Sequence, residues 1–246
     1  MLADPLFPLL ELPGVAEAVA TSRQAVDGLL GHRVLRRRST DVSAESLLRG
    51  AWASATLAGS AATLAEVRAG SVDDPVLQGA LRVSAALAGL AGTWPNAHRQ
   101  ALARLHALAA RGLVAESELG RPRPGREVAH RLDMLAEVLD RTSAPAVVIA
   151  ALVQAELLSL DAFPPSSGVV ARAAGRLVLI DRGLDPKSLV VPEIGLLELR
   201  EDLGPALADY AGGAPEAVVN WIRISAQAVV LGARESLAIC EALQRG

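Results

Sequence analysis

No part of this chain alternates apolar and polar residues long enough to make a sheet. Instead, proline and glycine bracket one helix-length apolar run after another. Pro13-Gly14 opens a helix that runs to about Leu30 and is closed by Gly31. Ser43 is a good N-cap for a second, through Trp52 and Leu64 to Gly70. Asp74-Pro75 starts a third that ends near Gly92, and Trp94-Pro95-Asn96 a fourth that ends near Arg111-Gly112. The polar stretch from Glu116 to Arg126, with Gly120, Pro122, Pro124 and Gly125, reads as a loop. A fifth helix covers about Glu127 to Arg141. Ser143 caps a sixth, from Pro145 to about Leu160. After a loop from Asp161 to Gly168, a seventh helix runs to about Arg182 and is stopped by Gly183. Leu189-Val190-Val191 forms a short extended piece, and helices from Leu196 to Tyr210 and Pro215 to Leu243 finish the chain. The fold class expected is all-α, a helical bundle.

Composition sets the core and removes several function classes. Hydrophobic residues are 51% and aromatics 2% of 246 residues, so the interior is built from Ala, Leu and Val, which favours close helix packing. The net charge of −3 gives no global field to collect nucleic acid. The basic cluster Arg33, Arg36, Arg37 and Arg38 reads as a solvated helix end or loop. Cys240 has no partner for an internal disulfide and sits on an apolar stripe, as a packed core thiol would. The residues from Met1 to Pro13 lack the basic start of a secretion signal, and a cytoplasmic setting is the simple expectation. The longest apolar stretch, Ala144 to Leu160, is interrupted by Gln154 and Glu156, so it reads as a buried central helix rather than a membrane span. His32, His98, His106 and His130 show no metal-ligand spacing, and His106 reads as a packing or hydrogen-bonded histidine.

The segment from Ala151 to Gly183 carries the chemical argument. An apolar helix leads into Asp161-Ala162-Phe163-Pro164-Pro165-Ser166-Ser167-Gly168, and a new helix starts at once with Arg172 in its first turns. Free backbone N–H groups at a helix start, with the helix dipole behind them, favour an anion, and Arg172 adds a charge-assisted contact. This outlines a phosphate or anion site at Ser166, Ser167, Gly168 and Arg172. The bland reading is a helix–loop–helix corner with serine N-caps and an exposed arginine.

This block resembles the active-site region of Fic (Fido-fold) proteins, which mostly transfer AMP from ATP to a protein hydroxyl. Their motif is HPFx[DE]GNGRxxR. Phe163, Gly168 and Arg172 match it. Asp161 stands at the histidine, Ala162 at the proline, Pro165 at the acidic residue, Ser166 and Ser167 at Gly-Asn, and Val169 at the first arginine. The flanks resemble the family as well: Leu105-His106-x-Leu108 before the loop, the run from Ala171 to Pro186 after it, then Tyr210 and Trp221-Ile222. A second resemblance lies at about 53–59. Ser54 and Gly59 fit the family's inhibitory-helix pattern [ST]xxxE[GN], and Ala58 takes the place of the glutamate that would pair with the arginine matched by Arg172. The resemblance implies an all-α Fic-like core over 94–246, preceded by N-terminal helices over 1–93 that include the inhibitory-like segment.

It also implies what the departures remove. Asp161 is an aspartate where the family has a histidine, and an aspartate is ordinarily a poor base near neutrality. Pro165 offers a divalent cation no oxygen, and Val169 cannot hold a phosphate. Each loss would cost about 10²–10⁴-fold on the usual scale of general-base and electrostatic contributions. Three readings follow. The first is a catalytically degenerate Fic-fold protein acting as a binding or interaction module, with a residual nucleotide or phosphate pocket and no metal. The second is an active transferase of nucleotidyl or phosphate groups using Asp161 as base. The third is a structural helical oligomer, with apolar faces of the N-terminal helices favouring a homodimer. A protein partner or a nucleotide is expected, and neither nucleic acid nor membrane.

Overall fold

The computed structural model describes residues 4–245. In chain order the helices are α1 (Phe7–Leu10), α2 (Val15–Leu30), α3 (Leu35–Leu57), α4 (Leu64–Ala69), α5 (Pro75–Ala91), α6 (His98–Ala109), α7 (Arg126–Arg141), α8 (Ala146–Ser159), α9 (Ser167–Asp181), α10 (Pro192–Glu198), α11 (Arg200–Ala211) and α12 (Pro215–Arg245). Single 3₁₀ turns lie at Trp94–Asn96 and Glu116–Glu118. Among the described residues there is no strand, only one isolated bridge between Arg111 and Val114. The all-α expectation holds.

The centre of the molecule is α8 packed on α9. Every residue from Ala146 to Ala155 is buried, so α8 is apolar on all faces, as a helix surrounded by others must be. Around this pair, α12 packs on α2, α8 and α10, α3 on α5 and α10, and α5 on α6 and α9. One continuous apolar cluster runs from Leu6 to Cys240 and takes in residues of both the N-terminal helices and the later core. Trp221 anchors α12 by donating its indole N–H to the Ala151 carbonyl at 2.8 Å. No helix of the described residues is long and apolar enough to cross a membrane.

Where the elements differ from the sequence reading, the reasons are local. Helix α3 begins at Leu35, eight residues before Ser43, and takes in Arg36, Arg37 and Arg38, with non-helical φ/ψ at Arg38. Two of the basic residues act on a distant partner. Arg38 Nη1 donates to the Leu243 carbonyl at 2.9 Å and Arg33 Nε to Gln244 Oε1 at 3.1 Å, so they meet the negative end of α12. The expected helix to Gly70 breaks at Leu57, and α4 restarts it with a capping box between Thr63 and Glu66. Pro145, not Ser143, precedes α8. Ser143 N–H and Oγ, with Thr142 Oγ1, instead donate to Asp4, whose carboxyl these bonds draw down to about 2. The helix expected from Leu196 is two, because α10 starts at Pro192, where the ring suits a first turn, and gives way to α11 at Leu199. Leu189 and Val190, expected to be extended, lie outside any helix or strand, and their N–H groups donate to the buried Asp185 carboxylate at 2.9 and 2.8 Å.

Candidate functional site

The loop between α8 and α9 is knotted onto itself by one serine. Ser167 Oγ donates to Asp161 Oδ1 at 2.7 Å and accepts the Phe163 N–H at 2.8 Å. Asp161 sits at φ 43, in the left-handed region that costs a non-glycine residue about 1–2 kcal/mol, and this bond helps hold it there. Its side chain lies in an exposed residue, whereas Ser166 and Ser167 are buried. Phe163 is buried and meets the His106 ring of α6, with centroids 5.4 Å apart. His106 is 1% exposed and packed against Phe163, and neither ring nitrogen reaches full hydrogen-bond geometry. Burial pushes its pKa down, partly opposed by the Pro164 carbonyl.

Helix α9 starts without a side-chain cap, since Ser166 makes none. The first internal bond is Val170 N–H to the Ser166 carbonyl at 3.0 Å. The N–H groups of Ser167, Gly168 and Val169 find no acceptor among the described residues. Side chains on a helix lean toward its N-terminus, and Arg172 follows this rule. Its guanidinium lies over Gly168, where an added Cβ would stand 3.0 Å from Nη1. Glycine here therefore makes the room the arginine occupies.

Arg172 is 7% exposed and its partners are neutral. Nε donates to Ser54 Oγ at 2.9 Å and Nη2 to the Ser54 carbonyl at 2.7 Å. Burial pulls its pKa down to about 10, against the attraction of Glu193. That glutamate is shared: Arg176 Nη1 reaches Glu193 Oε2 at 3.4 Å, and Arg176 Nη2 donates to the Ser188 carbonyl at 2.9 Å and to its hydroxyl at 2.7 Å. Gly50 of α3 leaves space for this pair, since a Cβ there would meet Arg176 Nη1 at 2.7 Å. The resemblance would pair the Ala58 position with Arg172, but it is Ser54 that is brought against it. Ala58 and Gly59 are not; they lie at the exposed end of α3, with Gly59 at φ 97.

Two features were not read from the sequence. Arg123 ties the loop of residues 120–125 to the α8–α9 loop, its N–H donating to the Ala162 carbonyl at 2.8 Å and its Nη2 to the Leu160 carbonyl. Glu156, near the end of α8, accepts two bonds from Arg131 of α7 at 2.9 and 2.6 Å and one from the Tyr210 hydroxyl at 2.8 Å. Burial and the glutamate charge push the Tyr210 pKa up. Glu156 was visible as a charge inside an apolar run, but its partners come from helices 25 and 54 residues away. No group of three or more His, Cys, Asp or Glu side chains gathers among the described residues.

No protein-family model matches the chain, and no curated protein matches it. Among solved structures, the chain is similar to the crystal structure of a Fic family protein from Desulfovibrio desulfuricans G20. The two are 20% identical, the superposition covers 93% of this chain and 75% of that one, and the TM-score is 0.77. A likeness at that identity is one of architecture. The helices that carry the loop and Arg172 therefore form the Fic fold.

Proposed function

We propose that this protein is a Fic-fold binding module without AMP-transfer activity, and that its ligand is a phosphate-bearing molecule held at the start of α9. The observation that carries this reading is the uncapped end of α9, with the Ser167, Gly168 and Val169 N–H groups unpaired and the buried Arg172 guanidinium laid against Gly168. A buried cation bonded only to neutral groups is costly, and an arriving anion would relieve that cost. The same loop argues against the transfer reaction. Asp161, at the position of the general base, has one carboxylate oxygen engaged by Ser167. A divalent cation does not fit here. Pro165 replaces the acidic residue and Asp161 is the only carboxylate within the loop, whereas such ions take several oxygen ligands.

Calorimetry with ATP and with inorganic pyrophosphate, both without metal, tests the binding half. Affinity of about 1 mM or tighter is expected, reduced at least about tenfold in Arg172→Met. Replacing this cation by an apolar chain of similar length should leave the fold intact. No heat of binding at millimolar pyrophosphate would remove the anion site. Incubation with labelled ATP and acceptor proteins tests the other half. Label that disappears in Asp161→Ala would overturn the non-catalytic reading.

A further inference from the structure

Helices α3 and α5 are tightly joined at one end of their contact and parted at the other. Around Gly50, Ser54 and Val83 the space between them is about 10 Å³. Ser84 Oγ of α5 donates to the Leu47 carbonyl of α3 at 2.8 Å. Toward the start of α3 the same two helices bound a groove of about 510 Å³. That lies within the range of about 300–1,000 Å³ typical of small-molecule sites. Arg38 leaves helical φ/ψ just before the groove begins at Ser39, and the turn there is tied by Arg33 and Arg38 to the last residues of α12. The groove is apolar along its length and charged at one point. Its walls are small, with Ala44 on α3 and Ala85 and Ala88 on α5, and the buried Leu87 and the half-buried Ile180 of α9 lie beneath them. No acidic residue lines it, and Lys187 is the one charged side chain that does. Lys187 is also the only lysine of the chain. It is exposed and takes part in no ion pair among the described residues. The backbone beside it is pinned. Ser188 stands at φ 50, in the left-handed region, and its carbonyl and hydroxyl hold the buried Arg176 guanidinium at 2.9 and 2.7 Å.

We propose that this groove binds a medium-chain aliphatic carboxylate, with its chain between α3 and α5 and its carboxylate at the Lys187 ammonium. A compact positive charge on a flexible stem, at the edge of an apolar groove, complements a ligand with one anionic group and a hydrocarbon tail. The tail supplies affinity by covering apolar surface, and the ion pair selects the head group. The groove stands at the last turns of α9, whereas the anion site stands at its start, about 20 Å away along a helix of 15 residues. The two sites are therefore separate, and neither proposal rests on the other.

The single lysine makes the test direct. Reductive methylation of the intact chain with isotope-labelled formaldehyde gives Lys187 a methyl signal, identified by its absence in Lys187→Gln. Millimolar decanoate should shift that signal, and calorimetry on the unmodified protein should give a Kd of about 1 mM or tighter. Acetate, which carries the head group without the chain, should leave the signal in place at the same concentration. Lys187→Gln should weaken decanoate binding at least about threefold. Ala88→Glu, which sets a carboxylate on an exposed position of the groove wall, should weaken it at least about tenfold. Both positions are exposed, so the variants keep the fold, and far-UV circular dichroism checks this. No shift of the Lys187 signal with millimolar decanoate overturns the proposal. So does an equal shift with acetate, or a decanoate affinity that is the same in the unaltered chain and both variants. Decanoate binding without pyrophosphate binding keeps the groove and removes only the anion site.

Discussion

At the residue scale, the informative groups are buried polar ones whose partners come from far along the chain. Arg172 was legible as a cation in the first turns of α9, but its bonds to Ser54 span 118 residues and follow only from how α3 lies on α9. His106 was legible as a packed residue, while its contact with Phe163 was not. Burial lowers the pKa of both His98 and His106; for His98, Asp140 opposes the shift. A histidine whose folded pKa is depressed stabilises the fold when neutral. As pH falls below the ordinary histidine value of about 6.5, the unfolded chain takes up protons first and stability drops until the folded value is passed. Asp4, drawn down to about 2, loses its contribution only as pH falls below the ordinary aspartate value, whereas the buried Asp185, whose pKa is raised, works in the opposite sense above that value, favouring the fold as pH falls toward it. We expect the melting temperature to fall between pH 7 and pH 5 and the fall to shrink in His106→Leu. Identical pH profiles for the two proteins would show that His106 carries none of it.

At the element scale, close helix crossings depend on residues without a Cβ. Helix α10 lies so near α12 that a Cβ at Gly195 would stand 2.2 Å from the Ala228 carbonyl, and one at Gly232 would stand 2.4 Å from the Val191 carbonyl. Backbone cannot yield as a flexible side chain can. Gly195→Ala and Gly232→Ala should each cost about 1–3 kcal/mol or more by overpacking. In a chain of this size that lowers the melting temperature by about 2–4 °C per kcal/mol. Gly28→Ala in α2, which meets nothing within 4 Å, should be neutral or slightly stabilising. Thermal melts of the three variants check the contrast, and a destabilised Gly28→Ala equal to the others would remove the packing explanation. Most helices announced themselves through Pro, Gly and apolar spacing. The split of the second expected helix at Leu57 and the early start of α3 did not, because a capping box and a contact with the end of α12 decide them.

At the scale of the whole molecule, the N-terminal helices and the later core share one apolar cluster, since α3 packs on α5 and α10 while α2 packs on α12. Shared burial couples the two parts on unfolding. Denaturant melts followed by far-UV circular dichroism and by fluorescence of the buried Trp94 and Trp221 should coincide in one transition. Two separated transitions would mean that residues 1–93 and 94–246 fold as independent units.

Periodicity and punctuation, which are properties of neighbouring residues, were enough to establish an all-α chain, its central buried helix and the loop-to-helix corner at Asp161–Gly168. Side-chain chemistry at that corner, set against the family motif, was enough to raise the expectation of a missing base and missing metal oxygens. What required the tertiary structure was the set of contacts between distant segments: Ser54 on Arg172, Arg123 on Leu160 and Ala162, and Tyr210 and Arg131 on Glu156. The physical reason is range. Helix-forming preferences act over one or two turns, whereas a buried charge takes whatever donor or acceptor the packing of other helices delivers to it.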